Sequence, residues 1–394
     1  MAVTPFSEAP WLTGVPTPYY SQSHRNWQKT CESFINGLFK DGLQWQKAGS
    51  APSDLWQTFA QAGFIVPCMP APLPTAQLEA AGITELPGGL KVKDYDYFHY
   101  LIYTTELYRC GLWGPASVIV PGAAFGIPPI FNFGSQELQK RLLPDLLSGR
   151  TRSCIAITEP SGGSDVANLE TTAVKTPDGK YYVVNGISTG IWADYATTGV
   201  RTGSEGAAGL SLLVIPLKNT RGVKCRKMEI SGGGIGGTTF ITFEDVKVPV
   251  DNLIGREGHG FKYILTNFNH ERLSLAISAT VQSRKLLSTA FDYVIKREAF
   301  GKPLIDQPVV RNRLGSAGAD LEAQWAWIEQ LTYSMKVLPK EEADRLLGGQ
   351  TALAKVRAGK LLAQCAEQAQ LLLGGNSVTL TGQGQLVESA SNAP

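Results

Sequence analysis

One carboxylate in the second half of the chain lies inside an apolar helical repeat. The repeat is formed by Phe261, Ile264, Leu265, Phe268, Leu275 and Ala279. Glu271 occupies the stripe position between Phe268 and Leu275, so the pattern predicts that its carboxylate points at the core. A buried carboxylate without a partner is costly or has a raised pKa, which is how a general base acting near neutral pH arises. An ion pair with Arg272, His270 or a distant arginine is the structural alternative, and the pattern leaves both open.

Two glycine motifs suggest other chemistry. Residues 186–190 (GISTG) match the G-x-S-x-G pattern of a serine hydrolase, with Ser188 as nucleophile and His259 or His270 as base. Residues 232–237 (GGGIGG) match the G-x-G-x-x-G dinucleotide fingerprint. Both motifs require a helix directly afterwards, whereas strand-like residues follow each of them. We therefore expect residues 232–237 to form a loop, and a hydrolase using Ser188 stays a remote alternative.

The composition limits the classes of function that the chain can have. The 394 residues carry 36 basic and 34 acidic side chains, a net charge of +2, which gives no electrostatic footprint for nucleic acid or an anionic membrane. With 43% hydrophobic and 18% charged residues, the chain is globular and long enough for two or three domains. The six cysteines form no C-x-x-C pair, so we expect neither a metal site nor a disulfide framework, but a reducing compartment.

No segment is predicted to target the chain to a membrane or for export. The most apolar stretch, residues 112–131, is interrupted by glycines and prolines, and the N-terminus lacks the charged and apolar regions of a signal peptide. We therefore expect a cytoplasmic protein.

The hydrophobic period changes twice along the chain. Residues 21–149 show helical spacing, for example at Trp27, Cys31 and Leu38. Short β-branched and aromatic runs follow, at 153–158, 180–184, 195–200, 210–216, 223–228 and 238–246. Helical spacing returns after Gly255. This order predicts an α+β chain with an antiparallel sheet or barrel between two helical regions.

Several strings in combination resemble the acyl-CoA dehydrogenase family. They are ITEPSGGSD (157–165), TTA (171–173), FEDVKVP (243–249), NHERLSLA (269–276), REAFGKPL (297–304) and the glycine pair Gly374-Gly375. The family's fold implies an N-terminal helical domain at 1–149 and a middle antiparallel β-domain at 150–252. A C-terminal four-helix bundle at 253–394 follows, and we expect it to lack the family's closing helix.

The resemblance implies FAD as cofactor and an acyl thioester as substrate. A carboxylate removes the proton α to the thioester carbonyl, and the β-hydride passes to the flavin. In most subfamilies the base follows the glycine pair, where this chain has Thr381, which cannot accept a proton. A minority carries the base on the helix of the HER motif, where Glu271 stands. By the same resemblance, Arg272 shapes the substrate pocket.

The resemblance also implies which residues meet the cofactor. Ile157, Thr158 and Ser188 match positions at the isoalloxazine ring, and Ser164 matches one between pyrophosphate and substrate. Arg297, Phe300, Gly374 and Gly375 match residues that reach the FAD of a neighbouring subunit, the glycine pair at its pyrophosphate, so a homodimer or homotetramer is expected. Each residue also has an ordinary structural explanation, for example Phe300 as a core residue.

The chain departs from the family pattern at one flavin-facing loop. Asn185-Gly186 runs directly into Ile187-Ser188, without the usual intervening residues and their covering tryptophan. We expect a more open flavin and a faster reaction of the reduced flavin with oxygen. The alternatives are a diverged flavin oxidase or tailoring enzyme on a substrate other than CoA, and a flavin-free scaffold. The acyl chain, its carrier and the electron acceptor are not determined by the sequence.

Overall fold

The computed structural model describes residues 4–230 and 234–391, which form two compact units. The helical unit comprises stretches within Met1–Gln44, Asp96–Trp113 and Asn269–Pro394. The sheet unit comprises Trp45–Tyr95 and Gly114–Phe268. Along the chain, helices precede a β-sheet and helices follow it, which confirms the predicted α+β class. The domain boundaries at 149/150 and 252/253 stay predictions.

The helices and strands of the described residues follow in chain order. The N-terminal helices are α1 (Gln22–Phe39), α2 (Gly42–Ala48), α3 (Leu55–Gln61), α4 (Thr75–Ala80), α5 (Tyr97–Tyr108), α6 (Gly114–Ser117), α7 (Pro128–Phe133) and α8 (Gln136–Leu147). The strands are β1 (Glu85–Leu86), β2 (Leu90–Lys91), β3 (Ser153–Ala156), β4 (Thr172–Lys175), β5 (Tyr181–Ile191), β6 (Tyr195–Arg201), β7 (Leu210–Pro216), β8 (Val223–Lys227), β9 (Thr238–Pro249), β10 (Leu253–Ile254), β11 (Glu298–Ala299) and β12 (Lys302–Pro303). The C-terminal helices are α9 (Gly260–Val294), α10 (Pro308–Val337), α11 (Lys340–Leu373) and α12 (Gly384–Ser391).

A single carboxylate joins three helices of the helical unit. Asp96 caps α5 by accepting the backbone N–H groups of Phe98 at 2.9 Å and His99 at 3.1 Å. His24 of α1 lies 3.0 Å from the same oxygen, and Lys336 of α10 reaches the other oxygen at 2.7 Å. Burial raises the pKa of Asp96, but the hydrogen bonds from His24, His99 and Lys336 outweigh it and hold the pKa well below its ordinary value.

The four C-terminal helices share one apolar core. Its buried members include Leu287 and Val294 from α9, Leu314 and Leu321 from α10, Leu361 and Leu373 from α11, and Val387 from α12. Burial of these side chains is the main favourable term that holds the four helices together. The predicted C-terminal bundle therefore has a physical core in the described residues.

The sheet of the sheet unit is mixed, which corrects the prediction of an antiparallel sheet. The described residues order its strands β10-β7-β6-β4-β5-β9-β8, with β3 attached to β6. β3 runs parallel to β6, and the other extended pairings are antiparallel. The predicted run 210–216 coincides with β7, but β4 was missed because Ala173 is its only buried residue and no alternation marks it.

An apolar segment of the sheet unit passes through the interior. Gly114–Phe133 is long and apolar enough by composition to cross a membrane, but 72% of its most apolar window is buried inside the protein. It is divided into α6, a π-helical turn at Pro121–Gly126 and α7. These features are those of a core segment, as its glycines and prolines predict.

Candidate active site

A buried carboxylate closes the loop that follows β3. Glu159 accepts the backbone N–H groups of Glu170 at 2.6 Å and Thr171 at 2.9 Å. Its backbone also exchanges hydrogen bonds of 2.8 and 3.1 Å with Gly162. Hydrogen bonds to an ionised acceptor are among the strongest in proteins, so they hold the loop in one shape. Glu159 was not predicted from the sequence, because its side-chain partners lie 11 and 12 residues further along.

The closed loop presents polar groups at the surface. Thr158 and Ser164, both predicted to bind the cofactor, are exposed, and Ile157 is half-buried. A Cβ added to Gly163 would meet no atom within 4 Å, and its backbone does not have a positive φ. Neither packing nor conformation in this chain therefore requires a glycine there. Exposed hydroxyls beside open backbone suit the close approach of a polar ligand, and the residues present fit FAD.

Ser188 is hydrogen-bonded to the start of the loop from the protein interior. Its side chain is only 1% exposed, and its hydroxyl donates to the backbone carbonyl of Thr158 at 3.2 Å. The N–H of Thr189 donates to the same carbonyl at 2.7 Å. The structure thus brings Ser188 and Thr158 together, but it makes Ser188 a support for Thr158 and leaves its hydroxyl facing the protein.

The serine hydrolase alternative is wrong. Ser188 lies within β5, whereas a nucleophile elbow needs a strand, a sharp turn and a helix. The glycines of the motif have local explanations. Gly186 lies at a β-bulge with φ +151°, where a Cβ would be 2.4 Å from the Thr171 hydroxyl, and a Cβ on Gly190 would be 2.9 Å from the Cys154 sulfur. The motif is a consequence of sheet packing.

The second glycine motif also has no helix after it. Gly232 and Gly233 lie outside the described residues, and Gly234–Gly237 leads directly into β9. The expected loop is therefore confirmed for its described part.

Glu271 does not lie on the fully buried face of α9, which corrects the predicted stripe. It is half-buried, and Leu265 of the same stripe is exposed. The buried face of α9 instead includes Leu273 and Ile277. Polar residues are interleaved with them, namely Ser274, Ser278 and Thr280. Apolar periodicity misplaced the core face because small hydroxyl residues occupy part of it.

Two neighbouring helices fix the rotation of α9. Towards α11, Arg272 Nη1 donates to the Gly348 carbonyl at 3.3 Å, and the Thr351 hydroxyl donates to Asn269 Oδ1 at 3.2 Å. Towards α5, the ring of His270 lies 4.3 Å from that of Tyr100. The side chains of residues 269, 270 and 272 therefore make contacts on two sides of α9.

Glu271 points into a third sector of the helix. At about 100° per residue, it lies roughly 100° from both His270 and Arg272 and about 40° from Leu275. Leu275 and Ala279 are half-buried, like Glu271 itself. The helical unit thus presents a carboxylate flanked by incompletely covered apolar groups, which is the surface that a general base acting on an apolar substrate requires.

The glycine pair ends α11. Gly374 has φ +57°, which stops the helix, and both Gly374 and Gly375 are exposed. A Cβ added to either residue would meet nothing within 4 Å. Thr381, at the alternative base position, is exposed as well. The absence of a side chain at Gly375 has no packing reason among the described residues and leaves its backbone open to a ligand.

Phe300 is an exposed aromatic residue at a hairpin tip. It lies between β11 and β12 with φ +56°, and 94% of its surface is exposed. A bulky residue in this left-handed conformation is strained. Arg297 is also exposed. The core alternative for Phe300 is therefore wrong, and nothing in the described residues covers its ring.

The family comparison covers nearly the whole chain. The acyl-CoA dehydrogenase N-terminal domain matches residues 21–150, the middle domain matches residues 154–246, and the C-terminal domain matches residues 258–391. The chain belongs to the acyl-CoA dehydrogenase family. Members of this family are FAD-dependent flavin oxidoreductases that act on acyl-CoA substrates, so the predicted cofactor and enzyme class are confirmed.

Individual relatives agree with this assignment. The chain is 54% identical over 390 residues to "Acyl-CoA dehydrogenase apdG" of Emericella nidulans, covering 98% of this chain and 89% of that protein. It is 34% identical to "Acyl-CoA dehydrogenase AFT10-1" of Alternaria alternata, covering 99% and 90%. The solved structure of acyl-CoA dehydrogenase from Geobacillus kaustophilus superposes with a TM-score of 0.81 at 26% identity, covering 95% of this chain and 94% of that one.

Proposed function

We propose that this enzyme oxidises the Cα–Cβ bond of a saturated acyl thioester, with Glu271 as the base that removes the α proton. The observation that carries the proposal is the sector of α9 in which Glu271 lies beside Leu275 and Ala279. An acyl chain packs against apolar groups, and a carboxylate held beside such groups can act as a general base on the chain.

The reaction removes one proton and one hydride from the acyl thioester. The α proton passes to the Glu271 carboxylate and the β hydride leaves as an electron pair with its hydrogen, so that a 2-enoyl thioester remains. Bound FAD supplies the oxidising equivalent by accepting the hydride. Thr381 is an alcohol and cannot accept a proton at neutral pH, so the glycine-pair loop offers no alternative base.

Arg272 is proposed as a positioning residue for Glu271. Its hydrogen bond to the Gly348 carbonyl joins α9 to α11 one residue away from the carboxylate. A contact of this kind limits rotation of the helix and therefore the direction in which Glu271 points. Misplacement of a general base by about 1 Å is costly to the rate.

The cofactor is proposed to lie against the sheet unit of one subunit and against the glycine pair of a neighbouring subunit. Thr158 and Ser164 would offer hydroxyl and backbone groups, Ser188 would hold the carbonyl of Thr158 in place, and Ile157 would pack on the ring. Gly374 and Gly375 would admit the pyrophosphate to the backbone at the end of α11. Open space at Gly163 and Gly375 supports this placement.

The assembly is proposed to be a homodimer or homotetramer. Phe300 exposes nearly its whole ring on a strained backbone, and Arg297 lies on the same hairpin. Both features support a partner subunit that covers the hairpin tip and shares the cofactor. The six cysteines are free thiols, which supports a reducing compartment, and the cytoplasm is proposed.

The proposal is tested by anaerobic reduction of the purified holoenzyme. A series of saturated acyl-CoA thioesters is added, alongside the matching pantetheine thioesters and oxygen esters, while the flavin absorption band and the product mass are followed. We expect a thioester to bleach the flavin and to lose two mass units, and the oxygen ester to react far more slowly because its α proton is less acidic. A flavin that dithionite reduces and no thioester reduces would contradict the proposal.

A further inference from the structure

A cavity in the sheet unit lies at the opposite end of β3 from the cofactor loop. It encloses about 470 Å³. Arg152, which lines it, directly precedes β3, whereas Thr158 follows that strand, six residues further on and about 20 Å away at 3.3 Å per residue. Asp194, also in the lining, directly precedes β6 and accepts the N–H of Arg152 at 2.8 Å. The cavity is therefore separate from the candidate active site.

The lining of the cavity is strongly basic. Among the described residues that line it are four cations, Arg150, Arg152, Lys218 and Lys227, and a single carboxylate, Asp194. Two of these cations are compensated, since Arg150 pairs with Asp145 outside the lining and Lys218 pairs with Asp194 at 3.0 Å. In the described part of the chain, Lys227 donates to a backbone carbonyl, that of Gly49, at 2.9 Å and pairs with no carboxylate. A concave surface with such an excess of positive charge attracts anions.

Arg152 is the least compensated of these cations. Among the described residues its guanidinium has no carboxylate within ion-pair distance, and its single hydrogen-bond acceptor is the carbonyl of Val118. Its Nε atom is buried without a partner, and the guanidinium lies 5.7 Å from the ring centre of Trp56. Burial lowers the pKa of Arg152 to about 10, despite the attraction of Asp194. An anion in the cavity would relieve this imbalance.

The cavity also offers an aromatic surface. Trp192 lines it and is 58% exposed, although its backbone N–H is fixed to the Gly237 carbonyl at 2.8 Å. Gly237, at the end of the glycine-rich loop, has φ +77°, and a Cβ there would lie 3.3 Å from that of Trp192. An exposed indole on a fixed backbone offers a surface for a flat apolar group.

We propose that this cavity binds a small organic anion, a carboxylate or phosphate ester with a flat apolar body. The anionic group contacts Arg152 and Lys227, and the flat body packs on Trp192. The volume suits a molecule of one or two rings, since ligand pockets of about 300–1,000 Å³ hold drug-sized compounds. The proposal concerns a second site and does not depend on the reaction assigned to Glu271.

The test uses the FAD-loaded enzyme with phenyl phosphate and benzoate as probes, followed by calorimetry and ligand-observed NMR. We expect saturable binding at millimolar concentration for at least one probe, and a loss of affinity of about tenfold in Lys227→Gln, because a charge-assisted contact is removed. Trp192→Ala is expected to weaken binding several-fold. Lys224→Gln, on the same strand β8, is the matched control and should bind as the wild type does.

Two further measurements decide the location. Arg152→Gln is expected to abolish binding, and if that variant fails to fold, the two surface variants Lys227→Gln and Trp192→Ala still test the site. Saturating acyl-CoA should not displace the probe. Absence of saturable binding, unchanged affinity in both surface variants, or displacement by acyl-CoA would each overturn the proposal.

Discussion

The two units hold their candidate residues in opposite ways. In the sheet unit, Thr158 is fixed by two hydrogen bonds to its carbonyl, and the loop after it is closed by Glu159. In the helical unit, Glu271 lies beside half-buried apolar groups and Phe300 is almost fully exposed. The sheet unit completes its part of the site with its own bonds, whereas the helical unit presents surfaces that a ligand or another subunit must cover.

This difference separates residues whose replacement should change the reaction from residues whose replacement should change folding stability. Where a side chain is held by internal bonds, its replacement should reduce folding stability, and it should reduce ligand binding only where those bonds shape the binding loop. Where a side chain faces outward, its replacement should change function and leave the fold intact. Each of the following experiments can show that one of these two expectations is wrong.

The largest expected effect follows Glu271→Gln. If Glu271 is the base, flavin reduction by an acyl thioester should slow by about 10²- to 10⁴-fold, because the amide cannot take a proton. The melting temperature and the flavin spectrum should not change, because glutamine is nearly isosteric. Stopped-flow reduction and thermal melting of the same preparation measure both quantities.

Two controls accompany that variant. Glu367→Gln changes an exposed glutamate of α11, and Thr381→Ala changes the alternative base position. Both should reduce flavin at the wild-type rate. A Glu271→Gln enzyme that reacts normally but melts early would assign Glu271 to a structural ion pair.

Asp96→Ala should show the reverse pattern, a loss of stability without loss of chemistry. Removing the cap of α5 and the partner of His24 and Lys336 is expected to cost about 3 kcal/mol of unfolding free energy at pH 7. Because the pKa of Asp96 is depressed in the folded protein, its contribution is present above the unfolded pKa, about 3.9, and is lost as the pH falls below it.

Denaturant melts of Asp96→Ala and wild type between pH 7 and pH 3 check this sign. The gap between the two proteins should be widest at neutral pH and should narrow towards pH 3. The control Asp94→Ala removes an exposed carboxylate two residues earlier and should stay near the wild type. A gap that widens on acidification would refute the assigned role of the network.

Phe300→Asn should weaken assembly. Burying a phenylalanine at an interface contributes about 1.5–3 kcal/mol, so loss of the ring should raise the dissociation constant of the oligomer by about tenfold or more. Asparagine tolerates the left-handed backbone of this position, so the protomer itself should not lose stability. Light scattering over a dilution series measures the effect, and Val309→Ser, another exposed apolar residue of the helical unit, is the control.

The smallest expected effect follows Glu159→Gln. Loss of the charge weakens two hydrogen bonds to backbone N–H groups, at a cost of about 1–2 kcal/mol, and frees the loop that carries Ser164. FAD should therefore bind several-fold more weakly, as measured by titration of the apoprotein. Glu170→Gln, which changes an exposed side chain, should bind FAD as tightly as the wild type does. Equal FAD affinity in the Glu159→Gln and Glu170→Gln variants would show that FAD binding does not need the hydrogen bonds of Glu159.

The sequence was sufficient for the architecture and insufficient for the side-chain environment. The run 210–216 is apolar except at Ser211, so β7 could be placed correctly, whereas β4 has one buried residue and no pattern. Glu159 could not be found because its partners are distant in the chain. The core face of α9 was misplaced because Ser274, Ser278 and Thr280 are buried there, and apolar periodicity does not detect them.

The discontinuity of the helical unit constrains the order in which the chain can fold during synthesis. Its parts come from the first 44 residues, from Asp96–Trp113 and from the chain beyond Asn269, so Lys336 reaches Asp96 only after the whole sheet unit has left the ribosome. The sheet unit needs no residue after Phe268. Domains fold as units as they emerge, and contacts between distant residues form slowly. Until the C-terminal helices are synthesised, α1 and α5 can pack on each other, but α5 exposes the surface that α10 later covers, and a nascent chain at this stage can bind a chaperone.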